Sequence, residues 1–551
     1  MMTTQDQTSG HLGLWAALRG DRAAEPFQRL VPLSWRGELF LICFGMLLSF
    51  LVAGFWYPYW RIADMDFWVV YNAFLLNVPM PQEWFDHPGY LTILLLSYWL
   101  RALHALGIVN VISLNALPPA SDAAAFTQAW TAATRAGRVL SLIYAMGFAV
   151  AFAYLLRTFV RDWRIAGFGA FLLAFSGGMA MEMRIMRTEL LPAAFFTCAL
   201  LMLLIVAQRG ERWWRPLVIG AASLLITLAM LNKIQFFFLI CVLPYLLLPF
   251  GISETRRGFW HEPRRRWALL IFIVVLTAIA ILLAKDIVVE GLFGRGETMV
   301  SRPTLQFGAT YYWPTLALWI GLGMIAFAWL WRVTAIETAA AMSSAIAGCM
   351  IGLLALDIRY HPSDVSVVFH PLEYMLAWAS ASEAELAHGL GPRLQFLAEA
   401  MVGVIARRTF FLSSSPRPTI FLEWFIIAAT IIAVRRREWR LVLQVGALML
   451  SDWGIDTLNM ARGLKQEYFL LTDPLAIIAA ALLVAKLTDL QRHRWTYPIG
   501  ATLIAAHILV SQAEPVKHIF RTEGPEVLCG LYGDAKRVEH LPICKTLQNR
   551  S

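Results

Sequence analysis

The sequence predicts an all-α polytopic membrane protein, and three observations carry that prediction. Of 551 residues, 59% are hydrophobic and only 15% are charged, against about 25% charged in ordinary soluble domains. The mean hydropathy is +0.60, more apolar side chain than a soluble fold of this length can bury. Apolar runs of roughly 20 residues recur from Leu39 to Val510, the length that crosses a hydrocarbon core as a helix. An outer-membrane barrel is excluded, because its strands alternate apolar and polar residues in segments of roughly 10.

The first element is polar and basic. Residues 1–37 carry Arg19, Arg22, Arg29 and Arg36 and read as a cytoplasmic segment. The run 39–55 follows, then Trp56, Tyr57, Tyr59 and Trp60, an aromatic belt at a membrane interface. No small-residue cleavage site follows the run, so it reads as a retained span. Further runs lie near 138–156, 165–181, 190–207, 216–231, 234–250, 267–284, 312–331, 336–356, 420–434, 441–457, 469–485 and 497–511. With the first, that makes about 13 spans. One more run, 90–106, is interrupted by Arg101 and His104.

The arginines decide whether 90–106 crosses. If it lies along the surface, the clusters at 157–164, 209–215, 256–266, 435–440 and 486–494 all fall on the side of the N-terminus. If it crosses, every one of them moves outside, against the bias of cytoplasmic loops toward Lys and Arg. The prediction is therefore a surface helix at 90–106. The net charge of +9 then belongs to cytoplasmic turns and implies no nucleic-acid partner. A transmembrane domain spans 38–511, with extracytoplasmic loops at 61–137, 285–311 and 357–419 and an outer tail at 512–551. Cys43, Cys198, Cys241 and Cys349 lie within apolar runs, whereas Cys529 and Cys544 share the polar tail and are expected to form a disulfide in an oxidising compartment.

A charge at the membrane centre costs on the order of 3 kcal/mol, so polar residues beside spans ask for a reason. Five groups collect at the outer face. Asp64 and Asp66 stand at i and i+2 after the first aromatic belt; such a pair can bind a divalent cation or divide base and electrostatic roles. The segment Trp84 to Tyr90 holds Asp86, His87 and Pro88, where Asp86 and Pro88 would start a helix. Arg184, Arg187 and Glu189 occupy one turn, able to pair among themselves. Lys233 sits in another, where a lone lysine can simply snorkel. Arg462, Lys465 and Tyr468 precede the run containing Asp473 and Pro474. Acids in the first loop and cations at other outer turns suit a transferase with an anionic lipid-linked donor. A carboxylate would take the acceptor's proton and cations would offset the leaving phosphate.

These motifs resemble those of the GT-C superfamily of membrane glycosyltransferases, above all protein O-mannosyltransferases and lipid A aminoarabinose transferases. Asp64-Met65-Asp66 resembles their first-loop acidic pair. Asp86-His87-Pro88-Gly89-Tyr90 resembles their His/Lys-Pro-Pro motif, with Gly89 in place of the second proline. Arg187-Thr188-Glu189 is similar to their Arg-x-x-x-Asp turn with altered spacing and acid. Lys465-Gln466-Glu467-Tyr468 followed by Pro474 resembles their late basic-aromatic segment. The resemblance covers roughly 38–250 and, more loosely, 440–490.

It implies a GT-C-like bundle in the inner or plasma membrane, with a sugar donor on polyprenyl phosphate used on the extracytoplasmic face with inversion. Asp64 would be the base and Asp66 its partner or a ligand of Mg, Mn or Ca. Asp86, His87, Arg187, Glu189, Lys233, Arg462, Lys465 and Tyr468 would contact the donor or a lipid, glycan or protein acceptor. No Walker A, GxSxG or HExxH motif competes. Two alternatives differ in where their key residues lie. A transporter or flippase would place charges at mid-membrane, and an O-antigen-ligase-like enzyme would use the 357–419 loop, which holds Arg407 and Arg408.

Overall fold

The computed structural model describes residues 34–62, 66–78, 80, 89–119, 121–208, 214–251, 263–293, 318–326, 335–355, 360, 366–369, 371, 390–410, 417–459, 466–487 and 496–519. These residues are helical with short connections, and no strand occurs among them. Asp64, Asp86, His87, Arg462, Lys465, Cys529 and Cys544 lie outside the described residues.

Sixteen helices are used below. They are α1 (Trp35–Ala53), α2 (Trp68–Leu76), α3 (Tyr90–Ala105), α4 (Ala123–Val160), α5 (Trp163–Ala174), α6 (Gly177–Glu182), α7 (Leu190–Gln208) and α8 (Arg215–Asn232). They continue as α9 (Phe236–Leu247), α10 (Pro263–Phe293), α11 (Ala335–Leu354), α12 (Leu390–Thr409), α13 (Ile420–Arg435), α14 (Trp439–Asn459), α15 (Asp473–Lys486) and α16 (Thr496–Ile519). Seven of them, α1, α4, α7, α8, α10, α11 and α14, contain stretches long and apolar enough to cross a membrane. Of the other predicted spans, 165–181, 234–250, 420–434 and 469–485 are helical in shorter pieces, 497–511 lies within α16, and 312–331 is described only over 318–326.

Two predicted spans are broken where they approach the site. In the first, α5 stops at Ala174, and Ser176 restarts the chain as α6 by accepting the Met179 N–H on its side-chain oxygen at 3.3 Å. In the second, a 3-10 turn, Gln466–Leu471, precedes α15, where Pro474 fits the first helical turn because its missing N–H has no partner to lose. The two breaks meet. A Cβ at Gly178 would lie 2.7 Å from the Leu470 amide nitrogen, so only glycine lets these backbones touch. Irregular backbone inside a bundle is tolerated where protein buries it, and Gly178 and Leu470 are both buried.

The helix α4 begins 15 residues before its predicted apolar run. Asp122 caps it, accepting the Ala125 N–H at 3.0 Å. At 38 residues it is about 57 Å long at 1.5 Å per residue, nearly twice a hydrocarbon core of about 30 Å. The early turns carry Trp130, whose indole packs against Phe67 at 4.7 Å, Phe74 at 5.2 Å and Tyr59 at 6.0 Å. Those rings hold the chain after α1 and the start of α2 against α4.

Chain direction sorts the turns. The arginine-rich connections follow α4, α7 and α13 and precede α8 and α14. The turns after α1, between α6 and α7, between α8 and α9, and before α13 and α15 therefore lie at the other end of the bundle. The polar groups described next gather there.

Candidate functional site

Asp66 occupies the entry to α2 and is completely buried. Its Oδ2 accepts from Arg138 Nε at 2.9 Å and Nη2 at 2.6 Å, and its Oδ1 accepts the Met186 N–H at 2.6 Å. Arg138 also donates to the carbonyls of Tyr57 at 2.6 Å and of Gly54 and Pro58 at 3.3 Å. One buried guanidinium thus fastens the chain from 54 to 66 to α4, and Asp66 carries the fastening across to the 183–189 turn. Burial pushes the Asp66 carboxyl upward, while Arg138 and the Met186 N–H oppose that shift.

The next turn builds a second cluster. Arg187 Nε lies 3.3 Å from Glu182 Oε1 and 3.5 Å from Glu189 Oε2. Lys233 Nζ donates to Glu189 Oε1 at 2.6 Å and stands 5.8 Å from the centre of the Tyr468 ring. Snorkelling, one expectation for Lys233, is not its arrangement: the side chain is 1% exposed and ion-paired. Two carboxylates and two cations from α6, the 183–189 turn and the α8–α9 turn come together here, with Tyr468 from the 3-10 turn. The sequence singled out Arg187, Glu189, Lys233 and Tyr468 separately, and the fold joins them. Glu182 completes the group. Arg184 points elsewhere, bonding Ser49 and the Ala180 carbonyl, and burial lowers its guanidinium to about 10.

The start of α3, residues 89–92, is fixed from the turn that bears Lys233. Asp86 and Pro88, expected to start a helix, lie outside the described residues; α3 begins at Tyr90, and a distant side chain serves its first amides. Asn232 Oδ1 accepts the Leu91 N–H at 2.9 Å and the Thr92 N–H at 3.1 Å. Its Nδ2 donates to Thr92 Oγ1 at 2.9 Å, and its carbonyl accepts the Gly89 N–H at 3.1 Å. Gly89 has φ +53°, and a Cβ there would stand 2.5 Å from Thr188 Cγ2. Proline cannot adopt that φ, which accounts for the glycine where the resembled motif has its second proline.

A third cluster joins α12 to α15. Arg408 is bidentate to Asp452, with both contacts at 2.6 Å. It also bonds Asp456 at 2.6 Å and 3.1 Å and Glu423. Arg417 pairs with Asp456, with Asp473 Oδ1 at 2.8 Å and with Thr472 Oγ1 at 2.6 Å. Its guanidinium lies 4.3 Å from the Phe469 ring centre. Sequence reasoning missed this cluster and Arg138, and it gave Glu182 no role although Glu182 stands in the same polar group as Arg187 and Glu189. The cluster's signal was present in Asp452 and Asp456, one helical turn apart within an apolar run, where charges ask for partners. Arg408, available to the ligase-like alternative, is wholly engaged in this network.

A divalent metal at the Asp64–Asp66 motif would need free carboxylate oxygens. Both oxygens of Asp66 are engaged by Arg138 and Met186, and among the described residues no group of three or more His, Cys, Asp or Glu could hold a metal ion. The described donors do not fit one.

No known family matches the sequence, and no characterised relative does. Among solved structures, the chain is similar to the Archaeoglobus fulgidus oligosaccharyltransferase in complex with Zn and sulfate. The TM-score is 0.46 at 15% identity, covering 92% of this chain and 57% of that one. It is also similar to the apo form, with TM-score 0.45 at 14% identity, covering 91% and 59%. The chain therefore spans less than two thirds of the length of the structures it matches.

Proposed function

We propose that the protein is a membrane glycosyltransferase of GT-C type. It moves a sugar from a polyprenyl-phosphate-linked donor to an envelope acceptor, on the extracytoplasmic face of the inner or plasma membrane. The observation that carries this reading is the meeting of Arg187, Glu189, Lys233 and Tyr468. They come from three turns at the end of the bundle opposite the arginine-rich connections, Arg187 and Glu189 sharing one of them.

In this reading Asp64 is the general base. The acceptor hydroxyl loses its proton to the Asp64 carboxylate while its oxygen attacks the anomeric carbon from the face opposite the phosphate. The bond from that carbon to the phosphate oxygen breaks, and the lipid phosphate leaves with the electron pair. Arg187 and Lys233 offset its growing charge in a site screened from water. Glu189 holds Lys233 in place, and Asp66, bound to Arg138, sets the position of the loop that bears Asp64. Asp86, His87, Arg462, Lys465 and Tyr468 contact donor or acceptor. No step runs through a metal.

The test is mass spectrometry of envelope glycans and lipids in a strain lacking the gene, complemented with wild type or with Asp64→Asn, expression verified. Loss of one fixed sugar mass in the deletion and in Asp64→Asn, restored by wild type, is the expected result. Full restoration by Asp64→Asn removes Asp64 as the base, and no change in any sugar mass on deletion removes the transferase reading.

A further inference from the structure

The cluster joining α12 to α15 grips the turn that carries Tyr468. That turn, Gln466–Leu471, is a 3-10 helix. With three residues per turn, successive side chains leave it on three different sides, and those at i and i+3 eclipse. Tyr468 faces Lys233, with 5.8 Å between its ring centre and the lysine Nζ. Phe469 faces Arg417, with 4.3 Å between its ring centre and the guanidinium carbon. The Leu470 amide lies against Gly178.

Arg417 holds an eclipsed pair. One member is Phe469, whose ring attracts a guanidinium at this distance. The other is Thr472, three residues on, whose Oγ1 accepts from Arg417 Nη2 at 2.6 Å. The Thr472 N–H donates to the Phe469 carbonyl at 3.0 Å, which continues the i to i+3 pattern and keeps both side chains on one side. Arg417 is itself fixed. Its backbone N–H donates to the Arg407 carbonyl, near the end of α12, at 2.8 Å. Its guanidinium pairs with Asp456 on α14 and with Asp473 Oδ1 on α15, the latter at 2.8 Å. Arg408 in turn holds Asp456 Oδ2 at 2.6 Å, and the Thr472 hydroxyl donates to Oδ1 at 3.0 Å. A planar guanidinium fixes direction as well as distance. A rotation of the turn that swung Tyr468 off Lys233 would therefore carry Phe469 and Thr472 off Arg417.

We infer that Arg417 is a positioning residue for the candidate site: by holding Phe469 and Thr472 it sets the rotation of the 466–471 turn and so places Tyr468 beside Lys233. The part Tyr468 plays in transfer rests on the proposed glycosyltransferase reading; its place beside Lys233 does not. Removing Arg417 would strand Asp456 and Asp473, so the test loosens its grip on the turn instead, in the full-length protein in detergent. Phe469→Leu takes away the ring and Thr472→Val the hydroxyl, and both leave the ion pairs of Arg417. Lys233 is 1% exposed, and its labelling by an amine-reactive succinimidyl ester, mapped by peptide mass, reads whether Tyr468 still covers it. Tyr468→Ala, which bares Lys233 directly, sets the upper limit. Phe469→Leu and Thr472→Val are expected to raise the labelling several-fold toward that limit and to add nothing in the Tyr468→Ala background. Thr472→Ser, which keeps the hydroxyl, should stay at the wild-type level. Wild-type labelling in both variants overturns the inference. So does a rise of equal factor in the Tyr468→Ala background, which marks general loosening. If Phe469→Leu fails to fold, the nearly isosteric Thr472→Val decides alone. Sugar transfer in complemented strains separates the two readings: faster labelling with undiminished transfer keeps the placement by Arg417 and removes Tyr468 from the reaction.

Discussion

Asn232 lends its side-chain oxygen to the amide of Leu91, 2.9 Å away, and so caps a helix that begins far earlier in the chain. The next residue, Lys233, is the cation paired with Glu189. One turn therefore both starts α3 and supplies a charge to the candidate site. Asn232→Ala removes the cap and is expected to destabilise by about 1–2 kcal/mol. It should leave the Leu91 and Thr92 amides faster in hydrogen exchange. Thermal unfolding with exchange mass spectrometry over 89–95 reads both effects.

Gly89→Ala meets two obstacles at once. The left-handed φ costs about 1 kcal/mol or more for a residue with a Cβ, and Thr188 Cγ2 stands in the way. Gly89→Ala should lower the melting temperature, and adding Thr188→Ser should recover part of the loss. Full recovery would mean that φ has no share in it.

Removing Arg138 alone strands Asp66. Arg138→Met is expected to cost about 3–5 kcal/mol, the usual result of breaking a buried pair. Arg138→Met with Asp66→Asn should unfold at a higher temperature than Arg138→Met alone, because the uncompensated charge is gone. Equal melting temperatures for the single and double variants would contradict the coupling.

Lys233→Met bears on the transfer reaction. If Lys233 offsets charge on the departing phosphate, the turnover falls about 10²- to 10³-fold, and Lys233→Arg retains more activity than Lys233→Met. The sugar mass gained by the acceptor in complemented strains, normalised to protein level, measures it. Equal transfer by wild type and Lys233→Met would remove Lys233 from the reaction.

The parts legible in sequence were those where polarity interrupts an apolar run at its end. Arg187, Glu189, Lys233 and Tyr468 stand in or beside short turns, so each was visible by itself. Their mutual contact was not, because it depends on how α6, α8 and the 466–471 turn approach one another. Arg138, Glu423, Asp452 and Asp456 were hidden for a different reason. Each lies within or at the edge of a run whose mean hydropathy is set by its neighbours, and its partners lie on other helices. The true start of α4 was missed because residues 123–137 are rich in alanine and polar side chains. Only Phe126, Trp130 and a few small residues mark the face that packs on 59–74.

The contact of Gly178 with Leu470 also sets a timetable. The early turn bearing Arg187 and Glu189 emerges from the ribosome long before the segment carrying Tyr468 and Phe469. Until that late segment arrives, nothing occupies its place beside Gly178, and Lys233 lacks its aromatic neighbour. Assembly of this end of the bundle is thus postponed to the close of synthesis, since contacts between remote parts of a chain form last. A nascent chain halted before residue 466 would carry most of its charged residues and yet lack the contacts of Leu470 with Gly178 and of Tyr468 with Lys233.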